Sequence, residues 1–239
     1  MVLVRPHDRF GGVFVATLDG GASSLATRNL AKGRSVYGEQ LIKADGEEEN
    51  EDVEYRLWNP YNSKLAAAIL RGLPSLPFGP GSTVLYLGAA TGTTVSHVSD
   101  MIGEDGVVYA VEFSSRSARD LVANVASPRR NVIPLVVDAR FPQRYGAFVG
   151  EVDALYCDVA QPAQARILAD NAVLYLKPGG GALLAVKARS IDSTRDPGRV
   201  YAQEANVLRS RDFRVERTTQ LRPYDKAHAM ILAFYEKRA

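Results

Sequence analysis

The 239-residue sequence has one cysteine, Cys157, one tryptophan and three histidines. A lone cysteine cannot close an internal disulfide, so a reducing, cytoplasmic compartment is expected. No apolar run approaches the roughly 18–20 residues that a membrane span needs, and the longest are strand-sized. The opening residues, Met1-Val-Leu-Val-Arg5-Pro6, lack the apolar centre of a secretory signal. There is no internal repeat and no low-complexity tract. With 46% hydrophobic and 23% charged residues, the composition excludes disordered and fibrous classes.

A net charge of +2 hides an asymmetry. Residues 1–55 hold 6 Lys/Arg against 10 Asp/Glu, and the remainder holds 23 against 17. A basic larger part suits a polyanionic partner, although ordinary surface solvation gives similar counts.

The first 55 residues read as a small β-rich domain. Phe10 to Leu18 is strand-like and runs into the turn signal Asp19-Gly20-Gly21. Asp45 to Glu54 is acidic and reads as an exposed loop. From residue 56 to 239 the character changes. Asn59-Pro60 marks the start of an alanine-rich helix, Tyr61 to Leu70. Strands then alternate with helices. Strands are expected at Thr83–Leu87, Gly106–Val111, Asn131–Val137, Val152–Cys157 and Gly181–Val186. Helices are expected at Thr94–Ile102, Arg116–Ala126, Ala163–Leu176 and Val200–Arg209. Pro134 marks the third strand as an edge or a bulge. Two final strands, Phe213–Thr219 and Ala229–Tyr235, follow without a helix between them. The pattern predicts a mostly parallel sheet covered on both faces, with an antiparallel last strand.

Ligands of such sheets bind beyond the carboxyl ends of the strands. After the first strand comes Gly88-Ala-Ala-Thr-Gly92-Thr-Thr94. Its glycines would let the backbone approach a ligand, and the next helix offers free N–H groups. The third glycine of the dinucleotide fingerprint is missing. After the second strand comes Glu112-Phe113, where a carboxylate can accept both ribose hydroxyls of an adenosine. After the third comes Asp138-Ala139, a candidate acceptor for an adenine amino group. After the fourth comes Asp158-Val159-Ala160-Gln161. Each acid alone is as good a helix cap. Three at successive strand ends, beside a glycine turn, read as an S-adenosylmethionine site, with NAD as the rival. After the fifth strand, Lys187 continues an apolar run, which is costly unless the lysine is paired, and Asp158 is the expected partner. Lys64, on the alanine-rich helix, and His228, before the last strand, carry little signal alone. Cys157 reads as a small core residue. No metal site is expected.

Four segments together resemble the fibrillarin family of RNA 2′-O-methyltransferases. They are Leu57–Ala68, Gly106–Asp120, Asp158–Pro162 and Lys187–Asp192. The resemblance runs from about residue 9 to the C-terminus and is similar to the short archaeal form, without a Gly/Arg-rich tail. Thr91 departs from the expected serine. The resemblance implies a Rossmann-like class I methyltransferase domain. It implies a Lys-Asp-Lys-His active site carried here by Lys64, Asp158, Lys187 and His228. It implies S-adenosylmethionine contacts at Gly88, Thr93, Thr94, Glu112, Phe113, Asp138, Ala139 and Asp158 to Gln161. It implies a Nop-domain scaffold protein, a kink-turn-binding ribosomal-type protein and a box C/D guide RNA as partners, with ribosomal and transfer RNA as targets.

Ribose 2′-O-methylation needs the hydroxyl to lose its proton. A lysine serves as base only if its ordinary pKa of about 10.4 is brought down. On this reading Lys187 is the base, Lys64 assists it or holds the ribose, Asp158 orients both lysines, and His228 positions the nucleotide or relays the proton. Arginines between Arg189 and Arg222 would contact phosphates or form an ordinary solvated face. The rivals are a stand-alone methyltransferase acting on bases or protein, and a catalytically silent RNA-scaffold module. The Asn/Asp-Pro-Pro-aromatic stretch common in base methyltransferases is absent after the fourth strand.

Overall fold

The computed structural model describes residues 2–44 and 53–236. Most of the acidic loop expected at Asp45–Glu54 lies outside them.

Five short strands form an N-terminal antiparallel sheet: β1 (Leu3–Pro6), β2 (Val13–Thr17), β3 (Ser23–Arg28), β4 (Leu41–Ile42) and β5 (Tyr55–Trp58). Their order is β1-β2-β3-β5-β4. The Asp19-Gly20-Gly21 turn joins β2 to β3, with both glycines at positive φ. β5 continues the sheet to Trp58, three residues past the boundary expected at residue 55.

The second sheet has seven strands, in the order β11-β12-β10-β9-β6-β7-β8. β6 (Thr83–Leu87), β7 (Val107–Val111), β8 (Val132–Leu135), β9 (Val152–Cys157) and β10 (Leu176–Lys187) run parallel. β12 (His228–Tyr235) is antiparallel to both β10 and β11 (Phe213–Gln220). Central strands are continuous apolar runs because helices cover both faces. Pro134 falls in β8, an edge strand, where its missing N–H costs no ladder bond. The other edge, β11, carries Arg214, Glu216 and Arg217 exposed, which discourages pairing with another chain. Among the described residues no helix is long and apolar enough to cross a membrane.

One face of this sheet packs on α1 (Lys64–Leu70), α2 (Thr93–Ile102) and the N-terminal sheet, through Leu65, Val98, Met101, Tyr86, Trp58 and Phe10. The other packs on α4 (Gln164–Tyr175) and α6 (Pro197–Arg209), through Leu155, Cys157, Leu168, Leu184 and Leu208. Short α3 (Ser115–Leu121), extended by a π turn to Ala126, and α5 (Ala188–Ile191) complete the fold.

Most boundaries fall within three residues of expectation, and two of the shifts have a plain cause. α1 starts at Lys64, not Tyr61. Asn59 Oδ1 accepts from Tyr61 N at 2.9 Å in a turn, and Ser63 is the true N-cap. β10 starts at Leu176, not Gly181, because the glycine run joins the sheet through a register shift.

Candidate active site

The turn after β6 is held by backbone geometry. Gly88 has φ +84°, and a Cβ there would lie 2.4 Å from the Asp158 carbonyl oxygen. Gly92, the N-cap of α2, has φ +95°, and a Cβ there would lie 2.5 Å from Val125 Cγ2. Both glycines therefore serve packing of the turn against β9 and the π turn. Gly88 also lines the cavity beside the turn, so its packing role stands together with the ligand approach expected of it. Between them Ala90 takes φ +49° and donates its N–H to Glu112 Oε2 at 2.7 Å.

At the carboxyl ends of β6, β7, β8 and β9 lies a cavity of about 260 Å³. Gly88, Glu112, Phe113, Asp138, Ala139, Asp158, Val159, Ala160 and Gln161 line it, together with Ala90, Val111, Val137, Arg140 and Ile167. Thr93 and Thr94 are not in this lining. Thr94 Oγ1 instead meets Ser63 Oγ at 3.0 Å and ties α2 to the start of α1. Glu112 is fixed by two backbone donors, Ala90 N and Ser114 N, both at 2.7 Å. Phe113 is 67% exposed, an apolar ring left open at the cavity. Asp138 is gripped by Arg140, with Nη2 2.6 Å from Oδ2 and Nε 3.1 Å from Oδ1. This guanidinium holds the Asp138 carboxyl below its ordinary range. Three carboxylates and an open aromatic ring suit a ligand carrying a flat base with an amino group, a diol and a positive charge. S-adenosylmethionine has all of these.

Asp158 joins this cavity to the four residues expected at the active site. Its N–H donates to Leu87 O at 2.9 Å, which fixes the end of β9. Its Oδ2 accepts from Lys64 Nζ at 2.6 Å, with the two side chains 19% and 27% exposed. Lys64 thus holds the carboxylate that the sequence reading had given to Lys187. That partner comes from a helix 94 residues away in sequence and leaves no local signal. Lys187, the last residue of β10, has no ion pair among the described residues. It stands directly opposite His228 on β12, so the two side chains share a face. Its backbone N–H donates to Gln164 Oε1 at 3.0 Å.

His228 is the first residue of β12, not a loop residue, and is buried. Its Nδ1 lies 2.6 Å from Asp225 Oδ1, off the line of an aligned hydrogen bond, and Nε2 has no partner among the described residues. Burial pushes the imidazole below its ordinary pKa of 6.5, Asp225 pulls it up, and Lys64 pushes it down again. Beneath the site, Tyr86 and Tyr156 stack with centroids 4.4 Å apart. Burial, reinforced in each case by the Asp158 charge, pushes both phenols well up.

A model of the fibrillarin family matches residues 4–237. The chain belongs to the fibrillarin family. A fibrillarin-like rRNA/tRNA 2′-O-methyltransferase of Pyrobaculum calidifontis is 54% identical over 98% of this chain and 97% of its own. Fibrillarin from Aeropyrum pernix, solved with natively bound S-adenosyl-L-methionine, is 48% identical with a TM-score of 0.88, covering 98% of this chain and 99% of that one. A chain from a fibrillarin/Nop5p complex is 39% identical with a TM-score of 0.79, covering 93% and 97%.

The sequence alone does not single out Ser63, Arg140, Gln164 or Asp225. Only Ser63 had a signal, a small hydroxyl directly before an apolar helix. The arginine stretch is partly spent within the fold. Arg195 pairs with Asp192, Arg211 with Asp170, and Arg214 with Glu216 and Glu236.

Proposed function

We propose that this fibrillarin transfers a methyl group from S-adenosylmethionine to ribose 2′-hydroxyls of ribosomal and transfer RNA, as the catalytic subunit of a box C/D ribonucleoprotein. One observation carries the site assignment. Asp158 lines the cavity and pairs with Lys64, while Lys187 and His228 face each other on the neighbouring strands.

When bound, S-adenosylmethionine supplies a sulfonium methyl for in-line displacement. Glu112 accepts from the ribose hydroxyls of the cofactor, Asp138 accepts from the adenine amino group, and Phe113 covers the ring. The remaining residues prepare the nucleophile. Asp158 pairs with Lys64 and fixes its amine at the mouth of the cavity, where it can hold the target ribose. Lys187, with no carboxylate of its own, is the lysine free to act as the neutral base. Once Lys187 takes the proton it is a second cation beside Lys64, and the pair favours the oxyanion left on the ribose. His228, kept neutral by burial, stands beside the base on the next strand, where it can relay the proton.

Target choice belongs to a guide RNA, held with this chain by a Nop-domain scaffold and a kink-turn-binding ribosomal-type protein. Likeness to the fibrillarin/Nop5p chain supports the scaffold. A cytoplasmic location completes the reading. The test is methylation of a defined target RNA by the chain alone and by the chain with guide and scaffold. Guide-directed 2′-O-methylation in the full assembly is expected. Its absence, or methylation of a base, would overturn the proposal.

A further inference from the structure

Gln164 is the first residue of α4 and is wholly buried. Its Oε1 accepts from Lys187 N at 3.0 Å, while its Nε2 has no partner among the described residues. A buried amide donor without a partner is unfavourable. A hydrocarbon of the same size would fill the space without that cost. What the amide supplies is the bond to Lys187 N. That bond falls where β10 ends and α5 begins, at the backbone of the residue that carries the base. One residue on, Ala188 N donates to Ala227 O at 3.2 Å, so Lys187 sits between two anchors. Behind Gln164, Glu204 on α6 accepts from Ala165 N at 2.8 Å and pins the first turn of α4. The chain of contacts runs from α6 through α4 to Lys187.

We infer that Gln164 is a positioning residue for Lys187. It fixes the direction in which β10 delivers the lysine, opposite His228, and touches neither cofactor nor nucleotide. This rests on the methyltransferase reading above. The titratable groups near the pair include Glu204 behind it, His228 across from Lys187, and Asp225 beside His228.

The experiment is single-turnover methylation in the particle assembled with guide, scaffold and target RNA, using Gln164→Met, Gln164→Glu and Lys187→Ala. S-adenosylmethionine affinity and melting temperature are measured on each. Gln164→Met keeps the volume and removes the acceptor. Its methylation rate falls on the order of 10²-fold, as displacement of a reacting group by about 1 Å can cause, with affinity and melting temperature unchanged. Gln164→Glu keeps an oxygen for Lys187 N but adds an acid beside Glu204 and the base, so it recovers the rate only in part. A wild-type rate in Gln164→Met, or a loss of rate that only tracks lost folding, overturns the inference. If neither variant folds, hydrogen exchange at the Lys187 amide of the wild type decides, and fast exchange overturns it. Failure of the underlying reading looks different, since Lys187→Ala would then methylate normally.

Discussion

The junction of the N-terminal sheet with α2 and the mouth of the cofactor cavity both gather opposite charges, and they treat them differently. At the junction, Arg56 Nη1 pairs with Asp100 Oδ2 at 2.7 Å and Arg129 Nε with Asp100 Oδ1 at 3.3 Å, all with side chains 0% exposed. Arg56 Nε also donates to Glu39 Oε1 at 2.6 Å. Asp100 further accepts from Thr27 Oγ1 and Leu30 N. Two cations meet two anions out of water. At the cavity, Lys64 and Asp158 are partly exposed, Lys187 has no ion pair among the described residues, and Asp225 lies against His228. The sealed cluster joins two parts of a fold. The one open to solvent is left able to act on something that arrives.

That contrast breaks first at Lys187. Lys187→Ala should lower single-turnover methylation on the order of 10²–10⁴-fold, the usual contribution of a general base. S-adenosylmethionine affinity, by calorimetry, should change less than about twofold, a margin well under the 1.4 kcal/mol of a tenfold step. Lys187→Arg should fare little better, since a guanidinium does not release its proton near neutral pH. A near-wild-type rate in Lys187→Arg would make the lysine an electrostatic clamp and pass deprotonation to His228.

The junction should respond in stability instead. Asp100→Ala strands two buried guanidinium groups with Glu39 as the remaining carboxylate, and breaking a buried pair costs about 3–5 kcal/mol. Denaturant unfolding would show the loss, while methylation per folded molecule stays near wild type. An unchanged midpoint would remove the cluster from the stability of the fold. The cavity rim gives a smaller effect. Asp138→Ala should weaken S-adenosylmethionine about tenfold, close to the roughly 1.5 kcal/mol of a charged hydrogen bond. Arg140→Ala, which frees the acceptor, should not weaken it. Unchanged affinity in Asp138→Ala would remove that residue from the site.

How much was legible follows the same division. β6 and β9 were placed to the residue, because a continuous apolar run between turn residues has one reading in a covered sheet. So were the acids at the strand ends, since sheet topology alone puts them at one edge. Of the five short N-terminal strands only β2 and the turn after it were read individually, and the rest were seen as one β-rich unit. Residues such as Ser23–Arg28 and Tyr55–Trp58 gain their burial from α2 and the second sheet, which no local pattern reveals. Pairing across the chain was the least legible. Lys64 with Asp158, Gln164 with Lys187, and Arg56 with Asp100 each join residues tens of positions apart.

The smallest effect separates the two clusters by pH. His97 lies at the junction, 0% exposed and stacked on Trp58 with centroids 4.8 Å apart. Its Nδ1 meets Thr27 Oγ1 at 2.8 Å and its Nε2 meets Tyr37 Oη at 2.7 Å. Burial first, then the charges of Arg56 and Arg129, hold it well below 6.5. His7 and His228 are lowered as well, His228 against the pull of Asp225. Above about 6.5 these groups are neutral in both states and contribute nothing. Below it the unfolded chain takes up protons that the folded chain refuses, so stability falls with pH until the folded values are passed. Lowered carboxylates such as Asp138 and Glu39 act only near and below their ordinary values of 3.8 and 4.5. Glu204, raised by burial, works in the opposite direction as pH falls. Between pH 6.5 and 5.5 the loss therefore belongs mainly to histidine. Urea unfolding at pH 7.5, 6.5 and 5.5 should show it in the wild type. His97→Gln should start less stable at pH 7.5 but lose less on acidification, and His228→Gln should change the slope less. A wild-type stability flat across that range would mean that the junction admits a proton to His97, and its charges would then be no more sealed than those at the cavity.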